Sequence, residues 1–142
     1  MRLTLFTDYA LRILMFLASR PGELSTIREI AERYQISENH LMKIVHQLGK
    51  DGFVETVRGR QGGLRLALKP DAINIGDVVR RYEEDMRLVE CFDARTNTCP
   101  IAGACALTGV IGEALGAFLA TLDKKTLADI IAESPKLKRK LG

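Results

Sequence analysis

Apolar residues recur at helical spacing through the first third of the chain. Phe6, Tyr9, Ala10, Ile13, Leu14 and Leu17 follow the i, i+3, i+4, i+7 pattern of one buried face and predict an amphipathic helix over residues 4–19. The "RPG" at 20–22 ends it. A second, short helix starts near Ser25, where Thr26 and Glu29 have capping-box spacing, and ends near Tyr34; Ile27, Ile30 and Ala31 supply its apolar side. After the tight connection "QIS", Ser37 is a good N-cap for a third helix reaching Leu48. Leu41, Ile44, Val45 and Leu48 face inward along it, and Asn39, His40, Lys43 and Gln47 face outward. "KDG" at 50–52 stops it. The period then becomes alternating: "FVETVRG" and "GLRLAL" predict a β-hairpin with a glycine-rich, basic tip, "RGRQGG".

Beyond Pro70, "INIGDVVRRYEE" predicts another short helix with Ile75, Val78, Val79 and Tyr82 packed. An irregular stretch containing all three cysteines follows. From Cys105 to Leu122 a long helix carries Leu107, Val110, Ile111, Ala114, Leu115, Phe118 and Leu122 on one stripe, and Gly109, Gly112 and Gly116 allow another backbone to come close. A last short helix, Lys124 to Ala132, leads into the basic "PKLKRKLG". The order helix, short helix, tight turn, helix, hairpin is that of a winged helix-turn-helix. The expected fold is mainly α with a small β-hairpin wing, followed by one long helix.

Composition narrows the class. With 142 residues and 46% hydrophobic content, the chain supports one small domain with an appended element. No run of about 18 apolar residues is evident, so no membrane span is expected. At the N-terminus Asp8 and Arg12 interrupt any signal-peptide core, which points to a cytoplasmic protein in which thiols stay reduced. The net charge of +3 is unevenly spread. Residues 1–70 carry 11 basic and 7 acidic side chains, residues 71–134 carry 6 and 11, and the last eight residues add 4 basic and no acidic ones. A basic first half suits nucleic acid. No nucleophile–base–orienter set, phosphate loop or HExxH motif is present, so an enzyme is not expected.

In a helix-turn-helix the second helix presents its N-terminal half to the major groove, here Ser37, Asn39, His40 and Lys43. Asn can bond two edges of adenine, and Lys suits guanine or phosphate. Thr26 and Arg28, at the start of the preceding helix, complete that face. Arg58 and Arg60 sit on a hairpin tip thinned by Gly59, Gly62 and Gly63, and such a loop can enter a minor groove whose potential attracts arginine. His40 and His46 are six apart on one helix, so they do not make a metal pair. The partner implied is double-stranded DNA.

The cysteines lie in "CFDARTNTCPIAGAC", with spacing C-x7-C-x5-C from Cys91 through Cys99 to Cys105. Three thiols in a loop that runs into a helix can converge on a metal centre, and the helix N-terminus favours the Cys105 thiolate. Structural zinc sites use paired C-x2-4-C ligands, and no such pair is present, so an iron–sulfur cluster is preferred, with zinc the competitor. A fourth ligand has to come from elsewhere. The candidates are Asp93, Asp8 and the Glu83, Glu84, Asp85 group. An oxygen ligand holds iron less tightly than a thiolate, which suits a sensor better than a rigid structural site.

The stretches "MRLTLFTDYALRIL", "ISENHLMKIVHQLGKDGFVETVRGRQGGLRL", "INIGDVVR", the three-cysteine loop and "FLATLDKKTLADI" together resemble the NsrR-type nitric-oxide-sensing repressors. These fall within the wider group of dimeric winged-helix regulators that includes IscR and RirA. The resemblance covers nearly the whole chain. It implies a homodimer paired through the long helix and a [4Fe-4S] cluster on Cys91, Cys99 and Cys105, with Asp8 supplied from the other subunit as the remaining ligand. A [2Fe-2S] cluster or zinc is the alternative. It further implies an operator-binding repressor with nitric oxide as its signal, or, in the RirA-like alternative, iron. IscR-like proteins have a histidine ligand just after the third cysteine; Leu107 occupies that region here. The expected organisation is a winged helix-turn-helix over 1–70, a connecting helix and cysteine loop over 71–104, a dimerisation helix with a short helix over 105–134, and a basic tail over 135–142.

Overall fold

The computed structural model describes residues 2–141. Among the described residues six α-helices and one hairpin follow in the expected order, α1 (Leu5–Ala18), α2 (Ile27–Tyr34), α3 (Glu38–Lys50), β1 (Val54–Val57), β2 (Gly63–Leu66), α4 (Ile75–Tyr82), α5 (Ala106–Asp123) and α6 (Leu127–Ala132), and a seventh helix that was not expected, α7 (Leu137–Leu141), comes after them.

Short polar side chains set the helix starts. Thr4 caps α1, its hydroxyl accepting from the Thr7 amide at 3.3 Å. At α2 the capping box forms both ways: the Thr26 hydroxyl accepts from the Glu29 amide at 3.1 Å, and the Glu29 carboxylate accepts from the Thr26 amide at 2.7 Å. Gln35 closes α2 in the left-handed region, with φ of 55°, and this sharp exit turns the chain into α3. Ser37 stands at the N-cap position of α3, but its hydroxyl makes no capping bond there, in contrast to the sequence expectation.

α1 is the floor on which other helices and the hairpin rest. It packs against α3, α4, α6 and β2. Ala10, Ile13, Leu14 and Phe16 are closed to solvent, together with Ile30 of α2 and Leu48 of α3. Phe16 lies outside the single stripe read from the sequence, because α1 is covered on more than one side. The hairpin is antiparallel, with Val54 opposite Leu66 and Val57 opposite Gly63, and the Glu55–Arg65 ion pair ties the strands. A bridge between Ser25 and Leu64 fastens the wing to the start of α2. Gly62 closes the tip; a Cβ there would lie 2.2 Å from the Val57 carbonyl oxygen, so no larger residue fits.

Two findings depart from the sequence reading. First, α5 is long and apolar enough to cross a membrane by length and composition, with a mean hydropathy of 1.4, although no such run was expected. It touches α4, and none of its residues is buried. Leu107, Val110 and Phe118 are 59%, 60% and 38% exposed. Second, the basic end is not detached. α7 sets Leu141 into the core, and Arg20 Nη2 donates to the Leu141 carbonyl at 3.1 Å.

Truncating a filled core position leaves a cavity. Phe16→Ala is expected to lower unfolding stability by about 3–5 kcal/mol, read from the midpoint of chemical denaturation followed by circular dichroism.

Candidate metal centre and nucleic-acid interface

The cysteine loop is short of regular structure and is held by local bonds. A 3-10 turn, Glu90–Phe92, carries Cys91, and Phe92 lies against α5 near Gly112. The Glu90 carboxylate accepts from the Thr98 amide at 2.6 Å and from its hydroxyl at 2.7 Å, which pins the segment ahead of Cys99. The Asn97 side chain accepts from the Cys99 amide at 3.0 Å. Cys105 is the N-cap of α5.

All three thiols are free and partly accessible. Two of them meet at Thr108, in the first turn of α5. Cys91 Sγ lies 3.3 Å from the Thr108 hydroxyl. The Cys105 thiol is held below the usual thiol range, first by the Thr108 backbone N–H and then by the Leu107 N–H, with burial opposing them and the Thr108 hydroxyl adding the least. The helix start therefore favours thiolate at this position. Thr108 was not singled out from the sequence. The readable signal is a hydroxyl residue three positions after an N-cap cysteine.

Asp8 stands on the first turn of α1, half-exposed and forked by Arg12: Nε donates to Oδ1 at 3.0 Å and Nη2 to Oδ2 at 2.7 Å. The Arg12 guanidinium is 5.6 Å from the Tyr9 ring centre and 5.8 Å from that of Tyr34. Tyr34 donates its hydroxyl to the Arg12 carbonyl at 3.1 Å, and burial pushes its phenol up to about 12. Three of the other four candidate carboxylates have partners, and the Glu84 side chain takes part in no ion pair or hydrogen bond among the described residues. Asp93 is paired with Arg87 and Arg95, Asp85 with Arg87, and Glu83 accepts from the amide and hydroxyl of Thr4.

Within this chain these groups do not form a finished site. Among the described residues no group of three or more His, Cys, Asp or Glu side chains is gathered as a metal would require. The donor chemistry nevertheless fits an iron–sulfur group: three unpaired thiols, two of them drawn to one helix end, one favoured as thiolate, on a loop with little regular structure. No histidine lies in or after the loop.

The side chains expected from the sequence to face DNA are exposed throughout: Thr26, Arg28, Ser37, Asn39, His40, Lys43, Arg58 and Arg60. Thr26 uses its hydroxyl in the α2 capping box, and Arg28 Nε donates to Glu32 at 2.9 Å. Lys43, Arg58 and Arg60 take part in none of the ion pairs among the described residues, so their charges face solvent uncompensated. Gly62 shapes the loop that carries both wing arginines.

The profile of the family described as "Rrf2: Iron-dependent Transcriptional regulator" matches residues 3–133. The HTH-type transcriptional regulator NsrR of Bacillus subtilis is 58% identical over 132 residues, covering 92% of this chain and 90% of that protein. Among solved structures, CymR, the global cysteine regulator of B. subtilis, superposes with a TM-score of 0.76 at 28% identity, covering 94% of this chain and 98% of that one. T. potens IscR does so with a TM-score of 0.74 at 26% identity, covering 94% and 88%.

The environment of Cys105 has a measurable signature. In cluster-free protein its alkylation by iodoacetamide, followed site by site by mass spectrometry, is expected to show a pH midpoint below about 8.5, the ordinary thiol value. A midpoint at or above that value would contradict the role given to the start of α5.

Proposed function

This chain belongs to the Rrf2 family of transcriptional regulators, and from that membership we propose that it is a homodimeric repressor whose operator affinity is set by a [4Fe-4S] cluster and lowered by nitric oxide. Its relatives are regulators and not enzymes. The observation that carries the reading is the exposed polar face of α3 beside two unpaired wing arginines, in a chain with three free thiols at the start of an uncovered apolar helix. A protein of this kind works on DNA in the cytoplasm.

In this reading α3 enters the major groove, where Asn39, His40 and Lys43 meet base edges and Ser37 the backbone. Thr26 and Arg28 contact phosphate, and Arg58, with Arg60 beside it, enters the minor groove. Two copies reach half-sites about one helical turn, or a multiple of it, apart on a roughly palindromic operator. The stripe on α5 that includes Leu107, Val110 and Phe118 is covered by the same stripe of the second copy, which removes the apolar surface from water.

Cys91, Cys99 and Cys105 would hold the cluster, with the partner subunit's Asp8 as the remaining ligand. When bound, the cluster supplies an iron centre that reacts with nitric oxide. Arg12 orients the Asp8 carboxylate and competes for it, since it donates to both oxygens from one turn along α1. Because α1 packs directly on α3, a change in the tie at Asp8 bears on the angle of the reading helix. A useful switch needs a coupling of about 1–3 kcal/mol between the two sites. The family's description as iron-dependent supports a second reading, in which iron supply is the signal.

The test uses anaerobically purified protein and a duplex selected by it from a random library. Tight binding, weakened by stoichiometric nitric oxide and by iron chelation, is the expected result in fluorescence anisotropy. Loss with chelation alone moves the assignment to iron, and a colourless zinc-loaded protein removes the cluster. Asn39→Ala should cost about 1–3 kcal/mol at one base position and relax specificity there. Arg58→Ala should weaken binding and make the slope of affinity against salt shallower by about one ion.

A further inference from the structure

Four consecutive side chains at the end of α4 reach three separate parts of the molecule. Arg80 forks the last residue of α5, with Nη1 2.5 Å and Nη2 2.6 Å from the two Asp123 oxygens. Arg81 Nη1 donates to Asp51 Oδ1 at 3.1 Å. The Tyr82 hydroxyl donates to Asp51 Oδ2 at 2.8 Å. Glu83 accepts from the Thr4 amide at 2.7 Å and from its hydroxyl at 3.0 Å, at the cap of α1. The junction thus touches α5, α3 and α1 within four residues.

Asp51 is the C-cap of α3 and its carboxylate is mostly shielded, with 16% of the side chain exposed. Gln47, one turn back on α3, also donates to Oδ2 at 3.0 Å. Tyr82 is itself 7% exposed, and its ring lies 5.2 Å from that of Phe6 on α1 and 6.3 Å from that of Phe53, which opens the wing. Burial, then the bond to Asp51, raises the Tyr82 phenol well above its ordinary range, so it stays protonated and keeps donating. A hydrogen bond to a shielded carboxylate is directional and stronger than a neutral one, whereas the Arg81 pair is half-exposed and screened.

We propose that Tyr82 is the positioning residue that couples the cysteine loop and the start of α1 to the reading helix, by fixing the C-terminal end of α3 and the start of the wing to α4. The proposal rests on the regulatory reading above and adds the contact through which it acts. The lever is long. Asn39 lies about 18 Å up the helix from Asp51, so a tilt of about 5° at that end moves it by roughly 1.5 Å. The chain leaves α4 at this junction toward Cys91, and Arg80 ties the same helix to the end of the one that Cys105 begins. A displacement of the loop or of α5 therefore reaches Asp51 through one short helix.

The test compares wild-type protein with Tyr82→Phe, which removes one oxygen and keeps both ring contacts, and with Arg81→Gln, which removes the half-exposed ion pair and leaves the Tyr82–Asp51 bond in place. Operator affinity is measured with and without cluster, together with the visible spectrum and, on cluster-free protein, backbone hydrogen exchange. Tyr82→Phe should keep the spectrum and narrow the ratio of loaded to free affinity about five-fold, the size of one hydrogen bond of ordinary net strength. In the cluster-free variant exchange should quicken at residues 47–54 and not along α1. Arg81→Gln should keep most of the ratio. A wild-type ratio in Tyr82→Phe, or unchanged exchange at 47–54, overturns the proposal, and so does loss of the ratio together with loss of the spectrum. If wild-type protein binds the operator equally with and without cluster, the regulatory reading falls instead, and the exchange result alone decides whether Tyr82 holds the end of α3.

Discussion

Ile13, Leu14, Phe16 and Leu17 of α1 are kept from water by α3, α4, α6 and β2, and the other elements take their places from that burial. Each such side chain gains about 1.5–3 kcal/mol on leaving water, so four of them are comparable in size with the net stability of a small domain. Because α3 and the wing strand lean on the same helix, the angle between them is set by packing and not by the turns that join them. Asp8 and Arg12 lie on that helix as well. A carboxylate proposed as a ligand is thus mounted on the core of the reading unit, whereas the thiols sit on a loop.

Where local chemistry decides an element, it was legible in the sequence. The Thr26–Glu29 capping box, the glycine-thinned wing tip and the switch from helical to alternating period all appear as read. Phe16 escaped because a stripe pattern assumes one buried face, and α1 has several. Leu141 escaped because four cations near it suggest a solvated tail, while a single leucine docks the helix. At α5, Glu113 and Asp123 hid an apolar run that averages out clearly over eighteen residues.

The candidate site was legible in type and not in arrangement. Spacing placed three thiols on one loop before a helix, but it could not show that Cys91 and Cys105 converge on Thr108, since that depends on how the loop folds back. Nor could it show that Asp93, the acidic residue between the first and last cysteines, is engaged by two arginines. Asp51 is an ordinary helix-ending residue in sequence. Its meaning comes from Tyr82, thirty-one positions away.

The place of α5 late in the chain, well after α3 and the wing, carries a genetic consequence. In the proposed dimer, pairing depends on residues after 105 and DNA reading on residues before 70. A chain damaged in α3 or the wing keeps its pairing helix and draws intact chains into mixed dimers with one working half. Such alleles would be dominant over the normal copy. Alleles that stop before α5 would yield a chain unable to pair, and these would be recessive.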